Sequence, residues 1–128
     1  TACRNAPSGA QVMGDEGIIC LPGADSPDSS PGWTAHATPF HSDDFAFTPT
    51  PGARPVRALV QIIRGEPGIR AVGAGDALWP LMRSSGRLGG PTSAALLELM
   101  TRLVQEVPTY ELSSNKPEQV WPLLEEIL

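Results

Sequence analysis

The sequence predicts an α/β domain, a mixed sheet with flanking helices. Three observations predict it. Short apolar runs are bounded by Gly and Pro, a longer run rich in β-branched residues covers 56–63, and a helical stripe of Leu, Met and Val covers 93–107. Strands come first, and helix and strand then mix, which is the order of a layered α/β fold.

Taken in order, Ala10–Met13 and Ile18–Leu21 are the first two strands expected. Residues 22–55 are rich in Pro, Gly, Ser and Asp, and PGADSPDSSPG reads as a polar loop in which such density precludes regular structure. Trp33–Ala37 is a strand candidate within that region. The segment after it mixes turns with Phe40, Phe45 and Phe47, the mark of a loop packed on something. Val56–Ile63 is the best strand of the chain, apolar almost throughout and therefore expected at the centre of a sheet. GEPG turns the chain into a short strand, IRAVG. Asp76 then caps a helix that Pro80 restricts to an early turn or kinks. Ser93–Val107 is a helix with Leu96, Leu99, Met100, Leu103, Val104 and Val107 on one face, stopped by Pro108. Thr109–Ser113 is a strand. Asn115, Pro117 and Glu118 then open a last helix over 117–127, with Val120, Leu124 and Ile127 inward. There is no internal repeat.

With 128 residues the chain reads as one domain, able to bury about two thirds of its unfolded surface. An apolar content of 41%, a charged content of 18% and a net charge of −5 fit a globular protein. The acidic balance argues against nucleic-acid and anionic-membrane partners, which need clustered basic residues. Lys116 is the only Lys, so the basic residues are otherwise all Arg. No apolar run approaches the ~18 residues of a membrane span, which makes the cytosol the expected location. Cys3 and Cys20 have no metal-site spacing and are too few for a disulfide framework; reduced thiols are expected, with a single disulfide left open. The chain opens on Thr1 rather than Met, so a piece of a longer protein is also expected.

Three groups of residues carry chemistry. Asp15 and Glu16 stand between Gly14 and Gly17, where one apolar run ends and the next begins. They fit a plain turn. They also fit a magnesium-side carboxylate at a strand end, with the second acid orienting or deprotonating a hydroxyl. WTAHATPFHSDD gathers His36, His41, Asp43 and Asp44, which could bind zinc or a similar ion although the spacing matches no standard zinc pattern. Arg54, Arg57 and Arg64 flank the strong strand, where a guanidinium fork can take phosphate oxygens or simply form surface ion pairs. No Gly-x-Ser-x-Gly elbow is present.

Four stretches in order resemble the later part of the HPr-serine-kinase-like proteins, which share a nucleotide fold with ATP-dependent phosphoenolpyruvate carboxykinases. GAQVMGDEGIICL resembles the strand, acidic turn and strand that follow the phosphate loop. GWTAHATPFHSD resembles the Trp…His-x-Thr-Pro-Phe segment, and RPVRALVQIIRG the Pro-x-Arg-Ala strand. LLELMTRLVQEVPTYELSSNKPEQVWPLL resembles the closing helix, the Val-Pro-x-Tyr-x-Leu strand and the last helix. Together they span roughly residues 9–125. The family's phosphate loop, Gly-x-x-Gly-x-Gly-Lys-[Ser/Thr], is missing from these residues, and Thr1 stands where the residues just behind that loop would fall.

The resemblance implies the C-terminal part of a P-loop kinase fold, with ATP and Mg2+ as cofactors and a hydroxyl of a protein or small molecule as phosphoryl acceptor. It implies Asp15 and Glu16 as catalytic and magnesium-side residues, with Glu16 standing where relatives often carry a second Asp. It places His36 at the mouth of the site, and Thr1, Thr38 and Arg57 toward the nucleotide. It also implies assembly into homo-oligomers or with an upstream fragment of the same protein. Two other expectations stand beside it: a binding module that keeps the fold without the nucleotide site, and a metal-dependent hydrolase built on His36, His41 and the neighbouring acids.

Overall fold

The structure is a computed structural model. It describes Ala10, Met13 and residues 18–23, 32–38, 50–85 and 94–127. The elements are of mixed α and β type, two three-stranded sheets with helices, and they belong to two compact units. The first unit is Thr1–Val56 with Lys116–Leu128, and the second is Arg57–Asn115.

In the first unit, β1 (Ile18–Pro22), β2 (Trp33–Ala37) and β3 (Ala53–Pro55) form an antiparallel sheet in the order β1-β2-β3. β1 and β2 fall where the apolar runs predict them. Ala10 and Met13 lie in no strand, and the two residues between them are outside the described residues, as is 24–31 of the polar loop. β3 is not predicted by pattern. It is preceded by Gly52, which at φ +121° takes a backbone conformation that side chains resist. Its carbonyl accepts the Ala37 N–H at 3.1 Å, which starts the return along β2. Pro55 then sits at the end of an edge strand, where no ladder donor is required of it. Trp33 is buried, and its carbonyl accepts the Val56 N–H at 2.7 Å. The same unit holds a 3-10 turn, Pro117–Gln119, running into α3 (Val120–Glu125). The predicted single helix over 117–127 is thus a tight turn and a short helix. Pro122 is tolerated because the first turn of a helix has no intrahelical acceptors for its N–H groups. Val120 is buried and Leu124 and Ile127 are half-buried.

In the second unit, β4 (Leu59–Ile63), β5 (Gly68–Val72) and β6 (Thr109–Ser113) form a sheet in the order β4-β6-β5. The predicted centre of the sheet is therefore corrected. Among the described residues the strong run 56–63 supplies an edge strand, paired on one side only, with residues 56–58 outside it, and the central strand is β6. Apolarity alone does not decide centrality; β6 wins because both other strands find partners on it. β4 runs parallel to β6, so a long crossover must join them. That crossover contains β5, α1 (Ala74–Ser85) and α2 (Ala94–Glu106).

β5 runs antiparallel to β6. The four-residue connection 64–67 therefore carries the chain from one flank of β6 to the other. Two strand spacings are about 9.6 Å, and four residues reach about 13 Å when extended, so the connection closes without strain. Ser113 pairs in register with both Ile63 and Gly68, so the crossing lies over the end of β6.

α1 runs on through Pro80, so of the two expectations, an early turn or a kink, the early turn is corrected. The lost bond is the one to the carbonyl of Asp76, an exposed residue whose carbonyl water can satisfy. The first helical bond runs from the Ala77 N–H to the Gly73 carbonyl at 3.0 Å, so Asp76 lies in the first turn, not at the cap. Its carboxylate is favourable there. α1 packs with α2. On α2, Met100, Leu103 and Val104 are buried, as is Val107 just beyond it, whereas Leu96 and Leu99 are exposed against expectation. Pro108 ends the helix, and its carbonyl accepts the Leu59 N–H at 2.9 Å, which aligns β4 with β6. Leu112 in the middle of β6 is fully buried.

Candidate functional site

The described part of the candidate site is β2 and its neighbours. His36 is half-buried and pairs in register with Ile19 of β1 and Ala53 of β3, so it stands on the central strand of its sheet. Side chains alternate along a strand, which puts Thr34 and His36 on one face and Trp33, Ala35 and Ala37 on the other. Thr38 follows directly after the strand and is half-buried. The Trp…His-x-Thr spacing thus combines two functions of sequence: the buried Trp33 fixes the strand, and His36 and Thr38 are carried at and just past its end.

Arg54, paired in register with Ala35, donates from Nη1 to the Ala53 carbonyl at 2.9 Å. Cys20, also in register with Ala35, is a free thiol, and burial pushes its pKa up because the thiolate is the form that loses hydration. A thiol held neutral in this way is a poor nucleophile and a poor metal ligand.

Thr1, Asp15 and Glu16 lie outside the described residues, as do Cys3, His41, Asp43 and Asp44. Arg57 is exposed and belongs to the second unit, whereas His36 and Thr38 belong to the first. Of the predicted site residues, the structure therefore describes His36 on β2 and Thr38 directly after it as near neighbours in one unit. Among the described residues, no group of three or more His, Cys, Asp and Glu side chains gathers in a way that could hold a metal ion. Among them, too, no helix is long and apolar enough to cross a membrane.

Two polar features escaped the sequence reading. Arg70 on β5 and Glu111 on β6 are register partners, and the guanidinium meets one carboxylate oxygen through Nε at 2.8 Å and Nη2 at 2.7 Å. Arg70 is largely exposed, so the pair contributes about 0–1 kcal/mol. A lone charge in each of two short apolar strands was the available signal. The second feature is Ser113, whose hydroxyl donates to the Glu66 carbonyl in the connection above it, with the Gly68 carbonyl 3.4 Å away. Its signal was the compact Gly-Glu-Pro-Gly turn, which needs a small neighbour.

Comparison with protein-family models, with curated proteins and with solved structures found no match to this chain.

Proposed function

We propose that this chain is the part of an HPr-kinase-like ATP-dependent kinase that follows the phosphate loop, and that it works with such a loop to transfer a γ-phosphoryl group to a hydroxyl acceptor. The observation that carries the reading is the four stretches resembling that family, in the family's order, across roughly residues 9–125. The mixed α/β elements are compatible with it. In this reading Asp15 takes the magnesium side and the acceptor hydroxyl, with Glu16 beside it. His36 and Thr38, carried by β2, line the mouth, and Arg57 faces phosphate. Catalysis of this kind rests on positioning and on charge neutralisation, work that acids, an Arg and a His would share with the phosphate loop and Mg2+.

A second reading has one observation in its favour. No Gly-x-x-Gly-x-Gly-Lys occurs in the 128 residues, so this chain lacks the backbone cradle and the Lys that hold a nucleotide's phosphates. A binding module that keeps the fold and uses its surface for a partner follows from that.

Calorimetric titration with Mg-ATP separates the two. The kinase reading expects binding by the longest natural chain that contains these residues, weak or no binding by the 128-residue chain, and loss of transfer in Asp15→Ala with its melting curve unchanged. Full transfer in that variant would remove Asp15 from the chemistry. Absence of nucleotide binding in both chains would leave the binding module.

A further inference from the structure

We draw no further inference here: the strongest candidate, the exposed apolar side chains Trp79 on α1 and Leu96, Leu97 and Leu99 on α2, carries nothing, because nothing in the structure shows what covers them.

Discussion

The hydroxyl of Ser113 donates to the carbonyl of Glu66, tying the end of the central strand β6 to the connection that crosses over it. Just beyond it the backbone continues the parallel ladder, the Ser114 N–H donating to the carbonyl of Ile63 at the end of β4 at 3.0 Å. A Cβ placed on Gly65 would meet the Cβ of Ser113 at 3.3 Å, tighter than ordinary contact, and Ser113 lies in a strand paired on both sides.

Ser113→Ala removes the bond and keeps the Cβ, so it is expected to destabilise the chain by about 1 kcal/mol, read from the urea midpoint at unchanged slope. Gly65→Ala is expected to cost about 1–3 kcal/mol through overpacking. If Ser113→Ala melts like the parent, the hydroxyl does no more than water would in its place.

Leu112 and Ile62 are register partners on β6 and β4, yet one is fully buried and the other 53% exposed. Truncation separates them. Leu112→Ala is expected to cost about 2–5 kcal/mol, a large part of the ~5–15 kcal/mol that holds a domain of this size folded. Ile62→Ala is expected to cost less than about 1 kcal/mol, because the atoms removed are mostly in water already. Equal losses in chemical denaturation would mean that Ile62 is covered in solution.

What was legible in the sequence followed from local rules. Trp33–Ala37, Thr109–Ser113 and the helix over 94–106 were readable because each is a periodic apolar segment between a Pro or Gly and the next turn. What was not legible depends on partners distant in sequence. The run 56–63 looks central because it is apolar, but which strand has two neighbours is decided by pairing, and β6, which carries Glu111, is the one with β4 on one side and β5 on the other. From propensity alone Pro80 reads as limiting the helix to an early turn or kinking it; α1 runs on through it, and the exposure of Asp76 leaves the unmatched carbonyl to water. At the site, period two gives the common face of Thr34 and His36 directly. Nothing local gives the distance from His36 to Arg57, which the fold assigns to different units.

Burial raises the pKa of Cys20, and the sign of its effect on stability follows. Below the unfolded thiol's pKa of about 8.5 both states are protonated, and the group is neutral to folding. As pH rises through that value the unfolded chain loses its proton while the folded chain keeps it, so the unfolded state binds fewer protons and stability falls. The parent is expected to lose more stability than Cys20→Ala between about pH 8 and 10. Denaturation at a series of pH values checks this, with alkylation of the folded thiol expected to lag behind that of the urea-unfolded chain. Parallel stability curves for the two proteins would refute the shift.

The proposed function makes a sharper claim about β2, because Trp33 and His36 stand on opposite faces of one five-residue strand. Trp33 is buried, so Trp33→Ala is expected to cost about 3–5 kcal/mol and to reduce any activity only by unfolding the protein. His36 is half-buried and its face also carries Thr34, so His36→Gln is expected to keep stability within about 1 kcal/mol. If His36 handles a proton or positions the acceptor, that variant loses about 10²-fold or more in phosphoryl transfer, measured in the longest natural chain that contains these residues. A His36→Gln protein with full transfer and an unchanged melting curve would make the imidazole a strand residue only. A variant that loses stability and activity in proportion would assign His36, like Trp33, to the packing of the sheet.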